Sequence, residues 1–153
     1  MWLVIILHLV GANFKQVAYF SHGAGDTWFL HAVDSDNDGY QELFVTGGGD
    51  TGTMVFEHIA NNQYQKSKIF GFMVTGIGFG DSDSLYDAFG HLVPVAYRGI
   101  LAIFESRTVN NFPDSLVWQC TDTIADCPAP ALFADFDKDS ISNLITNLGQ
   151  ELI

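Results

Sequence analysis

Short apolar runs, broken at close intervals by Gly, Asn, Asp or Pro, set the rhythm of this chain. Leu3 to Leu7, Trp28 to Val33, Leu43 to Thr46, Thr53 to Phe56 and Ile100 to Phe104 are rich in β-branched, aromatic and leucine side chains. None extends into a long i, i+3, i+4 pattern of the kind a buried helix face needs. Runs of this length bounded by turn formers predict strands, and a chain made mainly of them predicts an all-β fold with little helix.

The pattern also repeats. An aromatic follows an Asn-containing turn at Phe14, Tyr64 and Phe112, and an apolar strand precedes each turn. An acidic loop beginning Asp34-Ser35-Asp36-Asn37-Asp38 restarts at Asp135-Phe136-Asp137-Lys138-Asp139, 101 positions later, with Gly80-Asp81-Ser82-Asp83 near the midpoint. A period of about 50 residues calls for a repeat architecture. The expected strands are 2–10, 14–20, 28–33 and 42–46; then 52–59, 64–70, 72–78 and 91–97; then 99–106, 114–119, 130–134 and 142–147. Three four-stranded repeats, roughly 1–50, 51–98 and 99–153, predict β-propeller blades in one segment spanning 1–153, a partial propeller or part of an assembled one. Pro94 suits an edge or a strand end, because it cannot donate to a central ladder.

The loop at 34–42 carries the chemistry. Calcium takes six to eight oxygens at about 2.3–2.6 Å, and carboxylates at loop positions 1, 3, 5 and 9 converge to supply them. Those positions are Asp34, Asp36, Asp38 and Glu42, with the carbonyl of Tyr40 at position 7 and Gly39 at the turn. An EF-hand shares this first half, but its twelfth position would be Val45 and the flanks read as strands, so a strand–loop–strand calcium site is expected. In the third unit the same positions hold Asp135, Asp137, Asp139, Ile141 and Asn143, with Ser140 at the turn and one charge fewer, which predicts weaker binding. In the second unit only Asp81 and Asp83 match, with Asp87 a shifted third.

DSDNDGYQELFV and ADFDKDSISNLI resemble the calcium loops of FG-GAP and VCBS repeats, the blades of integrin-α-like propellers, and the resemblance covers nearly the whole chain. It implies that calcium is held by the residues just named, and that the repeats serve adhesion or assembly through a protein or glycan ligand. The resemblance also implies a propeller closed by about seven blades, within the typical range of about 4–8, so three imply self-association or further blades. Related propellers also form the non-catalytic or substrate-binding part of polysaccharide-processing enzymes, which is the alternative reading.

Composition narrows the partners. Eighteen acidic against six basic residues leave a net charge of −12, which argues against nucleic acid or an anionic membrane. The apolar run at 1–12 is too short for a membrane span and lacks the basic start of a signal peptide, so it reads as a strand. Cys120 and Cys127 suit a disulfide better than a zinc site, free thiols being the other option; with calcium loops they point to an extracellular or secreted protein. His8, His22, His31, His58 and His91 are scattered, no nucleophile, base and orienter assemble, and no glycine-rich loop opens a helix, so no enzyme activity is expected.

Overall fold

A computed structural model describes residues 3–10, 13–21, 26–47, 52–78, 87–92, 99–108, 111–125, 131–140 and 142–146. Among them the chain is all-β and antiparallel, with no helix and no closed barrel. In chain order the strands are β1 (Leu3–Val10), β2 (Asn13–Ser21), β3 (Thr27–Val33), β4 (Glu42–Gly47), β5 (Thr53–Ala60) and β6 (Gln63–Phe70). They continue with β7 (Phe72–Gly78), β8 (Asp87–Leu92), β9 (Gly99–Glu105), β10 (Ser115–Ala125), β11 (Ala131–Ala134) and β12 (Asn143–Thr146).

Among the described residues every ladder joins strands adjacent in sequence, but the sheets do not follow the expected unit boundaries. They are β3-β4-β5-β6 and β7-β8-β9-β10, flanked by the hairpins β1-β2 and β11-β12. The first four-stranded sheet thus joins the second half of the first sequence unit to the first half of the next. Its ladder explains why: β4 pairs through Leu43, Phe44, Val45 and Thr46 to Phe56, Val55, Met54 and Thr53 of β5, one apolar strand against another. In the second sheet β8 begins at Asp87 rather than near residue 91, because it must match β7 and β9 at once and does so from Asp87 to Leu92. Pro94 and the loop with Asp81 and Asp83 lie outside the described residues, as does Cys127.

Layers stack through the alternation of these strands. Every residue of β4 is buried, which places the strand inside with both faces covered. Phe44 and Val55 point one way and meet Phe72, Val74, Ala102 and Phe104 of the second sheet. Leu43, Val45, Met54 and Phe56 pack on the opposite face. The second sheet in turn presents Leu101 and Ile103 to Ala131, Phe133 and Leu144 of the β11-β12 hairpin. Full burial of an aliphatic or aromatic side chain contributes roughly 1.5–3 kcal/mol, so the Phe44, Val55 and Val74 layer is the main adhesive between the two sheets.

Two devices fix how the layers sit. Thr53 Oγ1 accepts the Val74 amide and Thr46 Oγ1 donates to the Val74 carbonyl, each at 2.7 Å, so β7 is hydrogen-bonded to the first sheet through side chains. At the outer rim Lys68 on β6 pairs with Asp114, with its ammonium 5.1 Å from the Phe70 ring and 5.8 Å from the Phe112 ring. On the other side of β7, a Cβ at Gly76 would lie 2.6 Å from the Ala131 carbonyl oxygen, and one at Gly78 2.8 Å from the Phe133 Cβ. Glycine at both positions lets the β11-β12 hairpin approach β7 that closely.

Candidate metal centre

The β3-β4 connection starts one residue after Val33 and ends on Glu42, which face each other across the ladder. Pairing at the neck therefore closes the loop and brings its first and ninth positions to the same end of the hairpin. Within it, Asn37 and Gly39 adopt positive φ of 61° and 94°. Asn and Gly are the residues that tolerate this region best, and the reversal they create turns successive amides inward. Asp34 collects two of them: Oδ1 accepts from Asp38 at 3.0 Å and Oδ2 from Gly39 at 3.0 Å. Asp36 Oδ1 accepts from Asp38 at 3.2 Å, and Asp38 Oδ1 from Tyr40 at 2.8 Å.

These bonds hold carboxylates together that would otherwise repel. Asp34, Asp36, Asp38 and Glu42 each offer an oxygen, and the four lie within 4.8 Å of one another. Such a group can hold a metal ion. Glu42 is the deepest member, fully buried, with Oε2 accepting from the Ser35 amide at 2.7 Å and from the Ser35 hydroxyl at 2.9 Å. Its second oxygen, Oε1, is buried with no hydrogen-bond partner. A buried carboxylate oxygen left without a donor is costly, and a cation beside it would remove the cost.

The electrostatics agree. Burial pushes the Glu42 carboxyl up to about 7, the two Ser35 hydrogen bonds oppose this, and the charges of Asp36 and Asp38 add to it. Asp36 is raised by burial first and then by Asp38. Tyr64 is raised by burial and by the Glu42 charge. Tyr64 edges the ring of His58 at 5.3 Å, and His58 stacks at 5.2 Å on Tyr40, so the loop is braced from β5 and β6 by an aromatic series.

The β11-β12 connection repeats the skeleton. Asp135 Oδ1 and Oδ2 accept from the Asp139 and Ser140 amides at 3.1 and 3.0 Å, as Asp34 accepts from Asp38 and Gly39. Lys138 and Ser140 take φ of 63° and 72° where Asn37 and Gly39 stand in the first loop. Asn143 Oδ1 accepts from the Phe136 amide at 3.1 Å, in the place of Glu42 and Ser35. Asp135, Asp137 and Asp139 come within 4.8 Å, but all three are exposed and the deep carboxylate is replaced by an amide.

Of the residues expected from sequence, the structure thus unites Asp34, Asp36, Asp38 and Glu42, and separately Asp135, Asp137 and Asp139 with Asn143 beside them. Tyr40 belongs to the first loop; Ile141 lies outside the described residues. Asp87 opens β8 opposite Gly78 rather than a loop. Sequence reasoning passed over Ser35, which supplies both donors to Glu42; its only signal is a small hydroxyl residue at the second loop position. His31 is in neither cluster: it sits on β3 across from Phe44, its Nε2 buried without a partner and its pKa lowered by burial. No protein-family model, curated protein or solved structure matches the chain.

Proposed function

We propose that the chain is a calcium-binding, non-catalytic repeat module of the FG-GAP and VCBS kind, its sheets forming propeller blades and its acidic loops stiffened by calcium to engage a protein or glycan outside the cell. The observation that carries this reading is the orphaned Oε1 of fully buried Glu42, set within 4.8 Å of three aspartate oxygens. An all-oxygen donor set on a loop suits a hard cation, and carboxylates that can bind in variable number suit calcium better than the rigid octahedron magnesium requires. Asp34, Asp36, Asp38 and Glu42 would hold the ion, with Asp135, Asp137, Asp139 and Asn143 forming the weaker site. What the ion supplies is rigidity and compensation of charge on the rim of the sheets.

Calorimetric titration with calcium and with magnesium tests this. Calcium should bind with two resolvable affinities, the tighter abolished by Asp36→Ala and the weaker by Asp137→Ala. Absence of calcium binding at millimolar concentration, or equal response to magnesium, would overturn the assignment.

A further inference from the structure

The first acidic loop contains an Asp-Gly peptide, Asp38-Gly39, and both residues are exposed. An aspartyl side chain can be attacked by the backbone nitrogen of the next residue, closing a succinimide ring, and glycine in that place leaves the nitrogen unshielded. Apart from its two chain neighbours, nothing lies within 4 Å of where a Cβ on Gly39 would stand, so no other group obstructs ring closure. Asp139-Ser140 occupies the same place in the β11-β12 loop with a side chain on the second residue. It serves as an internal comparison.

The hydrogen bonds of the loop supply what this reaction needs. The nucleophile is the Gly39 nitrogen, whose proton is donated to Asp34 Oδ2 at 3.0 Å, within the reach of about 2.6–3.2 Å over which a carboxylate acts as a general base. The electrophile is Asp38 Cγ, and its Oδ1 accepts from the Tyr40 amide at 2.8 Å. A donor there steadies the negative charge that builds on a carbonyl oxygen under attack. The same bond holds the Asp38 carboxyl over the turn that contains Gly39, so nucleophile and electrophile are kept near each other before any reaction begins.

We infer that Asp38-Gly39 is a site of spontaneous aspartate isomerisation, promoted by the metal-free loop itself. The Gly39 nitrogen bonds to Asp38 Cγ, Asp34 takes up the amide proton, and one carboxyl oxygen leaves as water, carrying that proton and one from solvent. Water then opens the succinimide. Addition at Cγ restores aspartate, whereas addition at the Asp38 main-chain carbonyl carbon breaks its bond to Gly39 and leaves isoaspartate, the backbone now running through the former side chain. Water is the only co-reactant. The consequence for the loop rests on the calcium reading proposed above: isoaspartate lengthens the backbone by a methylene and moves the carboxylate, so the ligand at the Asp38 position is lost. Bound calcium occupies the oxygens of Asp34 and Asp38, which leaves neither base nor electrophile free. Loaded protein therefore keeps its first loop, and metal-free protein loses it with time.

Ageing of the full chain at neutral pH tests it, with isoaspartate located by electron-transfer fragmentation in the mass spectrometer. In chelator it should form faster at Asp38 than at Asp139 of the same molecules. Asp34→Asn should slow the reaction at Asp38 about tenfold or more in the folded chain, a positioned general base typically contributing at least that much, and should leave it unchanged in urea, where the loop's hydrogen bonds are gone. Equal rates in folded wild type and variant overturn the inference, as does a rate at Asp38 no higher than at Asp139. Should Asp34→Asn lose its β-sheet circular dichroism, the wild type alone decides: the ratio of Asp38 to Asp139 isomerisation must be higher folded than in urea, and an equal or lower ratio overturns the inference. Calcium that binds by calorimetry should suppress the reaction at Asp38, and binding without suppression overturns the protection. Absence of calcium binding sinks the metal assignment, while the rates in chelator still decide the isomerisation.

Discussion

Replacing Glu42 with Gln should make the metal-free protein more stable and the calcium-loaded protein less so. The fold buries the Glu42 carboxyl completely, gives only one oxygen its donors, and raises its pKa from 4.5 to about 7. For an acid whose folded value lies above its unfolded one, stability is fully present below the unfolded value and lost as pH rises through the folded value. At 1.36 kcal/mol per unit, the penalty on the ionised form reaches at most roughly 3 kcal/mol above neutral pH. Gln keeps the shape and still accepts from Ser35, but those bonds lose their charge assistance, which returns about 1 kcal/mol. In chelator at pH 8 the variant should therefore gain about 2 kcal/mol, whereas near pH 4 the two proteins should differ little. Saturating calcium reverses the order: at a hundredfold excess over Kd a bound ion adds about 2.7 kcal/mol to the wild type, and the variant forfeits much of it. Urea midpoints at both pH values, with chelator and with calcium, read all four quantities. A Gln variant less stable than wild type in chelator at pH 8 would refute the reasoning, because the buried charge would then be a stabilising element of the fold.

The two loops invite reciprocal exchanges at their turn residues. Gly39→Ala has no steric conflict, since nothing lies within 4 Å of the added Cβ, but its φ of 94° should cost about 1 kcal/mol and weaken calcium binding at the first loop. Ser140→Gly relieves a φ of 72° and should stabilise by about 0.5–1 kcal/mol while tightening the second site, as thermal melts and calorimetry would read. Gly76→Ala should push the β11-β12 hairpin off β7 and cost about 1–3 kcal/mol by overpacking, with faster hydrogen exchange at Leu132 and Phe133 amides as the local readout.

Sequence alone determined what depends on near neighbours. Strand against turn is set by local alternation and by residues that accept or refuse particular φ values, so Asn62 at φ 59° could be placed between β5 and β6 from its position between apolar runs. The acidic loops were equally legible, because a hairpin neck forces residues 1 and 9 of the loop together whatever surrounds it; Asp34 and Glu42, and Asp135 and Asn143, follow from spacing. Tertiary structure decided which hairpins join into one sheet. Successive strands in each sequence unit look alike, and only the packing of Phe44 and Val55 on Val74 selects β4 with β5 as a central pair. It also decided the charge state of Glu42, which comes from burial rather than from the residue, and the need for glycine at Gly76 and Gly78, which comes from the closeness of β11. Spacing along the chain can converge donor atoms, but how dry they are, and what touches them from behind, is set by segments distant in sequence.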